Sequence, residues 1–366
     1  MKRPQNSKKR QIISLIGQHC LFLTNFGTVT YDKNDMKEIL SKLYTQYTMT
    51  QEEARNVMLG IAEGRYCNEQ IAACLAIMQT RGISVDELLG VRQGMLETGV
   101  PVDLGGVRVV DIVGTGGDGK NTFNISTCAC FVLAGAGVKV AKHGNYAATS
   151  VSGASNVLEG HGVKFTNDSS ELRRSLDGSN FCYMHAPLFA RGMKNVVPVR
   201  KALQVPTLFN LLGPTINPCR PQCQCLGTAN LEQMRLYANV FQKLKMDYAI
   251  VTSEDGYDEI SLTSDFKITA AGLEKVYSPA DFGLKTIDPK EIYGGSTKEE
   301  AKKIFDDVLT NNATESQKNV VLINAAAAMR VYDSSLSMEE CLALAKESVE
   351  SGKAKKALEN YIRLNS

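Results

Sequence analysis

Apolar positions recur every three to four residues from Asp35 to about Gly99, and the segment reads as a set of amphipathic helices. Thr50-Gln51-Glu52-Glu53 and Ser84-Val85-Asp86-Glu87 are capping boxes, each placed just before an apolar stripe. The stripes run through Ala54, Val57, Met58 and Ile61, then Ile71, Cys74, Leu75 and Met78, then Leu88, Leu89, Val91 and Met95. Gly64, Gly82 and Gly99 punctuate them. After Pro101 and Gly105-Gly106 the texture changes. Short β-rich apolar runs are expected as strands at Val107–Val113, Val138–Ala141, Gly162–Phe165, Phe181–Met184, Thr207–Phe209, Gln224–Gly227 and Tyr248–Thr252. Helices are expected at Ser126–Gly135, Ser152–Gly160, Leu231–Leu244 and Thr297–Leu309, and again at Asn319–Tyr332, Ser337–Ser351 and Lys353–Leu364. Alternation of this kind marks an α/β fold with a mostly parallel central sheet. The expected organisation is a small helical domain over residues 36–100 and a larger α/β domain over residues 107–366.

Composition narrows the class. The chain has 366 residues, 43% of them hydrophobic and 22% charged, which fits ordinary globular cores. A formal net charge of +2 argues against bulk nucleic-acid binding. The ten cysteines are scattered, and several fall on apolar faces, so reduced buried thiols are expected rather than a disulfide framework. Cys219, Cys223 and Cys225 are close in sequence but do not have the paired spacing of a zinc site. The basic start and the apolar run Ile12–Leu23 imitate a signal peptide. Gln18 and His19 interrupt that run, no small-residue cleavage site follows, and it is too short to span a bilayer. Residues 1–35 are therefore expected to be a leader outside the domains of a cytoplasmic protein, with no membrane role.

The chemistry concentrates between Val107 and Glu159. Two expected strands each run into a polar, glycine-bearing turn, Gly114-Thr115-Gly116-Gly117-Asp118 and Lys142-His143-Gly144-Asn145. Hydroxyl and amide residues follow each turn: Asn124, Ser126 and Thr127 after the first, then Thr149, Ser150 and Ser152. Glycine lets a backbone approach a ligand, and the N–H groups that open a helix hold anions. The pattern suggests a cradle for a ligand with more than one phosphate. It is neither a dinucleotide fingerprint nor a Walker loop. Lys142 suits phosphate as a point charge, whereas His143 reads as a binding residue or a packed polar one. Asp258-Glu259 follows the strand Tyr248–Thr252. Adjacent carboxylates in a turn are often simply solvated, but beside a phosphate cradle they are hard oxygen ligands suited to Mg²⁺. Arg200 could face a planar carboxylate with two parallel hydrogen bonds, or lie on the surface at a helix start.

These residues fall within a longer series of motifs. They are GTGGD at Gly114–Asp118, FNIST at Phe123–Thr127, KHGN at Lys142–Asn145, MKNVVPVRK at Met193–Lys201, FNLLGP at Phe209–Pro214, DGYDEISLT at Asp255–Thr263 and NAAAA at Asn324–Ala328. In this order, and from about Met36 to the end, the chain resembles the anthranilate phosphoribosyltransferases. The resemblance implies the fold of the nucleoside phosphorylases and phosphoribosyltransferases, with the helical domain completed by about residues 194–214 and the active site between the domains. It also implies a homodimer formed through the helical domain. The implied activity is transfer of phosphoribose from 5-phosphoribosyl diphosphate to anthranilate, the second step of tryptophan biosynthesis. 5-Phosphoribosyl diphosphate would meet Gly114, Gly117, Asp118, Thr122, Asn124, Ser126, Thr127, Lys142, His143, Gly144, Asn145 and Ser150. Mg²⁺ would meet Ser126, Asp258 and Glu259, and anthranilate would meet Gly114, Asn145 and Arg200. No acid or base is implied, because an aromatic amine is already neutral at pH 7. Four departures bear on affinity and acceptor choice: Tyr146 for the frequent Arg, Ala154 for Ser, Asn156 for Asp, and Ala190-Arg191 for His-Pro. A pyrimidine nucleoside phosphorylase and a non-enzymatic nucleic-acid-binding relative are the alternatives on such a scaffold.

Overall fold

The computed structural model describes residues 35–147 and 150–366, so the expected leader (Asp35 apart) and Thr149 lie outside the described residues. Helices α1 (Asp35–Leu43), α2 (Gln51–Ala62), α3 (Asn68–Arg81) and α4 (Val85–Thr98) form the N-terminal helical part. Both expected capping boxes are present, on α2 and α4. The predicted stripes are buried in one core, which continues into α8 (Val197–Leu203) and α9 (Leu208–Leu212) from the middle of the chain. One polar device sits inside it. Glu87, fully buried, receives Arg81 Nη2 at 2.6 Å and the backbone N–H groups of Met49 and Ser84, each at 3.0 Å. Removing one partner of a buried ion pair strands the other. Glu87→Ala should therefore cost about 3–5 kcal/mol in urea unfolding, and a loss below about 1 kcal/mol would show that water reaches Arg81.

The α/β part carries a seven-stranded sheet in the order β3-β2-β1-β4-β5-β6-β7. Its strands are β1 (Val110–Gly114), β2 (Val140–Gly144), β3 (Phe181–His185), β4 (Cys223–Gly227), β5 (Asp247–Ser253), β6 (Phe266–Ala270) and β7 (Leu273–Tyr277). The first five are mutually parallel, and β6 and β7 add antiparallel at one edge. The mostly parallel sheet and helical part are the expected architecture. The chain winds outward from β1 to β3, returns to the other side of β1 and continues from β4. The reversal leaves a crevice at the carboxyl ends of β1 and β4, where ligands of open α/β sheets bind.

One face of the sheet is covered by α5 (Ile125–Gly135), α12 (Glu315–Tyr332), α13 (Met338–Glu350) and α14 (Lys353–Asn365). α5 is buried nearly all round, which its sequence ISTCACFVLAG dictates. Phe131 packs on Phe181 with ring centroids 4.4 Å apart, and Tyr361 lies edge-on to Phe181. On the other face, α10 (Leu231–Leu244) places Tyr237 and Phe241 in the same core as the N-terminal helices, so the two parts share apolar contacts beside the crevice.

Two expected strands are absent. Gly162–Phe165 is an irregular segment whose Lys164 N–H donates to Asn365 O, with no neighbouring strand; Val163 and Phe165 still pack on the core. Thr207–Phe209 instead opens α9, with the Thr207 N–H donated to Asn210 Oδ1 at 3.0 Å. β6, β7 and α7 (Ser169–Ser179) were not anticipated, whereas α8 falls within the 194–214 segment expected to complete the helical domain. The hairpin had a partial signal, since period-two alternation in Phe266–Ala270 precedes the two-residue turn Ala271-Gly272, although Leu273–Tyr277 does not alternate. Cys223 and Cys225 are both buried in the core, on the same side of β4.

Candidate active site

Two cavities open at the sheet's carboxyl edge and meet at Val113 and Gly114. The smaller, about 170 Å³, is polar and is lined by Gly114, Thr122, Asn124, Ser126, Thr127, Ser150, Asp258 and Glu259 among others. α5 begins at its floor. Its Cys128 N–H is the first to complete a helical bond, to Asn124 O, which leaves the earlier N–H groups Ser126 and Thr127 toward the crevice. A helix start of this kind attracts anions. Buried acceptor and hydroxyl atoms wait without partners at Asn124 Oδ1 and Thr115 Oγ1. The larger cavity, about 780 Å³, is lined by Arg191, Lys194 and Arg200 among apolar residues such as Met193, Val197 and Phe209, with no carboxylate in its wall among the described residues.

The structure distributes the candidate residues between these cavities. Lys142, His143 and Gly144, expected in a turn, belong to β2, because its pairing with β3 runs from Val140 to Gly144. Only Asn145 lies beyond the strand. Strand alternation then separates neighbours onto opposite faces. Lys142 points toward α5 and donates to Ile112 O at 2.6 Å and Ser126 Oγ at 3.3 Å; it is buried and lines neither cavity. His143, Gly144 and Asn145 line the larger cavity with Arg200. Gly117 and Asp118 stand in the turn above the crevice, and Asp118's carboxylate lies beside that of Asp258. Arg200 Nη2 reaches Asn210 Oδ1 at 3.3 Å and has no carboxylate at ion-pair distance among the described residues. Burial pulls its affinity for a proton down, which marks a cation lacking a counter-charge.

Asp258 and Glu259 sit in the loop after β5, pressed over the end of β4. A Cβ on Gly227 would fall 1.6 Å from Asp258 O, so that strand end must be glycine, and one on Gly114 would fall 2.3 Å from Asp258 Oδ2 and displace that carboxylate. The Gly116 N–H donates to Asp258 Oδ2 at 2.6 Å. Burial, then the charge of Asp118, raises the Asp258 carboxyl. Burial, then Asp258, raises Glu259 well above the usual range, and Glu259 Oε1 is buried without a hydrogen-bond partner. Burial favours the neutral form of both carboxyls, and a bound cation would favour the ionised form instead; hard oxygen donors beside a polar crevice are of the kind that suit Mg²⁺.

His143 behaves differently. Burial first, and then the Lys142 charge, lowers its pKa to about 4. Its imidazole is thus neutral in the wall of the larger cavity. Since the unfolded ring titrates near 6.5, this group's contribution to stability is complete above that pH and is lost as pH falls toward 4. The ring resonances should show no protonation midpoint between pH 5 and 8 in an NMR titration; a midpoint near 6.5 would place the ring in water.

Sequence reasoning missed Asn324, which lines the crevice, and Thr115. Asn156, one of the departures, keeps a polar role: its Oδ1 accepts from Gly153 N–H at 3.0 Å and Ala147 N–H at 3.1 Å, holding the loop after β2 against α6 (Ala154–Glu159).

The molecule thus sets a helical bundle beside an α/β sheet, with a polar crevice joined to a larger cavity that carries three cationic side chains. The family model for the glycosyl transferase a/b domain matches residues 106–355, and that for the helical bundle domain matches residues 37–99. Among curated relatives, the anthranilate phosphoribosyltransferase of Phocaeicola vulgatus is 56% identical over 331 residues, covering 90% of this chain and 100% of that protein. That of Bacteroides thetaiotaomicron is 53% identical at the same coverage. The chain belongs to the anthranilate phosphoribosyltransferase family. The crystal structure of the Thermus thermophilus enzyme matches with a TM-score of 0.84 at 31% identity, over 89% of this chain and 98% of that one. The Saccharomyces cerevisiae enzyme in complex with PRPP and Mg matches with a TM-score of 0.83 at 26% identity, over 91% and 98%.

Proposed function

We propose that this chain transfers the phosphoribosyl group of 5-phosphoribosyl diphosphate to the amine of anthranilate and releases pyrophosphate. The observation that carries the reading is the meeting of the two cavities at Gly114, one built for an anion with a cation and the other for an anionic aromatic molecule. The diphosphate and ribose lie on Gly114, Gly117, Thr122, Asn124, Ser126, Thr127 and Ser150, against the start of α5. Lys142 acts from beneath, fixing Ser126 and offsetting the Glu259 charge. Ser126, Asp258 and Glu259 hold Mg²⁺, with Asp118 beside them. When bound, Mg²⁺ neutralises charge that gathers on the leaving pyrophosphate. A solved relative supports this reading: the Saccharomyces cerevisiae enzyme is in complex with PRPP and Mg.

Anthranilate lies in the larger cavity. Arg200 faces its carboxylate, while Asn145, Gly144 and neutral His143 line the side next to Gly114. The amine attacks the anomeric carbon, the bond to pyrophosphate breaks, and the ammonium formed loses its proton to water. Holding the amine against that carbon is worth several orders of magnitude without any base. Arg191 and Ala190 border this cavity, which places that departure where the acceptor ring enters.

Incubating the chain with both substrates and Mg²⁺ should yield N-(5-phosphoribosyl)anthranilate and pyrophosphate in equal amounts by mass spectrometry. Transfer of the deoxyribosyl group of thymidine to phosphate with release of thymine, without reaction of anthranilate, would replace this reading by a pyrimidine nucleoside phosphorylase. Among the described residues no helix is long and apolar enough to cross a membrane. We place the protein in the cytoplasm as a homodimer joined through the helical part, where Tyr44 is 69% exposed; light scattering at twice the 39.9 kDa chain mass checks the dimer.

A further inference from the structure

The loop that carries Asp258 and Glu259 is gripped from two sides. From the sheet, Ser253 at the end of β5 donates its hydroxyl to Glu259 O at 2.7 Å and accepts the Ser261 N–H at 3.0 Å. From the helical layer, Asn324 of α12 accepts the Ile260 N–H at 3.1 Å and donates to Ile260 O at 2.8 Å. Its second amide hydrogen goes to Val320 O at 2.8 Å. Every backbone polar group from the Glu259 carbonyl to the Ser261 N–H is therefore held by one of two buried side chains. Asn324 borders the crevice, yet both of its donors are used inside the protein. It acts on the ligand only through the loop. Immediately beyond, Leu262 is fully buried with φ 60°, a left-handed conformation that an L-residue adopts at a cost. Such strain persists where the surroundings over-determine the backbone, and it clusters at functional sites.

We propose that Ser253 and Asn324 form a two-sided backbone clamp over residues 259–261 that fixes the Asp258–Glu259 pair for its divalent cation and the attached diphosphate. Adjacent carboxylates repel and would swing apart toward water if the loop were free. Held between a sheet edge and a buried helix, they stay converged on the crevice. Both are positioning residues rather than ligands. The proposal rests on the cation–diphosphate reading of the crevice.

The test is isothermal titration of manganese pyrophosphate into the full chain, alongside steady-state kinetics. Ser253→Ala and Asn324→Ala should each weaken binding by at least about tenfold, as outer-shell changes at metal sites do. Because both hold one segment, the double variant should lose less than the product of the two single losses. The anthranilate KM should stay within about twofold of the wild type, a split that general destabilisation would not give. Ser348→Ala, which removes a buried hydroxyl bond to Val132 O in the same helical layer, should leave manganese pyrophosphate binding unchanged. If either alanine variant fails to fold, the other decides, and Asn324→Asp, which keeps the acceptor for Ile260 N–H, provides a milder change at the helix side. Unchanged binding by the folded clamp variants, with a wild type that binds, overturns the clamp alone. A wild type that does not bind manganese pyrophosphate overturns the reading beneath it as well.

Discussion

Replacing Asp258 and Glu259 together by alanine should abolish Mg²⁺-dependent turnover, a fall of at least about 10³-fold in kcat/KM, the scale of losing the main electrostatic stabiliser of a charged transition state. The two side chains are buried and adjacent; burial and then Asp118 raise Asp258, burial and then Asp258 raise Glu259, and Glu259 Oε1 has no hydrogen-bond partner among the described residues. Two negative charges in that position destabilise the folded chain unless a cation is present. Their removal should therefore leave folding stability about where it was, within roughly 1 kcal/mol, since the loss of the Gly116 hydrogen bond is set against relief of repulsion. Lost turnover in a protein of normal stability is the expected signature. Full activity in the double variant would remove the metal assignment, and unfolding would show that the pair is structural.

Arg200→Ala should raise the anthranilate KM about 10²-fold, as expected for losing a charge-assisted bidentate contact in a half-buried cavity, and should leave the KM for 5-phosphoribosyl diphosphate within about twofold. Arg200 hydrogen-bonds Asn210 and has no carboxylate at ion-pair distance among the described residues, which leaves its charge for a ligand. Arg191 and Lys194 share the wall and supply the general attraction for an anion. They do not supply the planar fork, so Arg200→Lys should restore little. Equal weakening of both substrates would mean that Arg200 orders the cavity as a whole instead of meeting one carboxylate.

Much of this was readable in the sequence, and the physical reasons differ from element to element. The capping boxes at Thr50 and Ser84 and the stripes behind them are local signals, so the N-terminal helices emerged where expected. β1 to β5 were readable because a strand buried on both faces is a short apolar run. Thr207–Phe209 failed for the same reason: a three-residue apolar run carries no period, and Asn210 decided for a helix by accepting the Thr207 N–H. At the site, residue types were readable but directions were not. Lys142 and His143 are neighbours in a motif, yet the strand sends one toward α5 and the other to the wall of the larger cavity. That split depends on where β2 ends, which is set by its register with β3 rather than by the motif. The contacts of Asn324 with Ile260 span 64 residues of sequence, and nothing local in NAAAA points to them.

The most direct measurement is the decay of anthranilate fluorescence on adding 5-phosphoribosyl diphosphate to the full-length chain, with Mg²⁺ and again with excess EDTA. Rapid loss of fluorescence with Mg²⁺, and little with EDTA, is the predicted result. Fluorescence that persists with Mg²⁺ and both substrates present, in a folded protein, would contradict it.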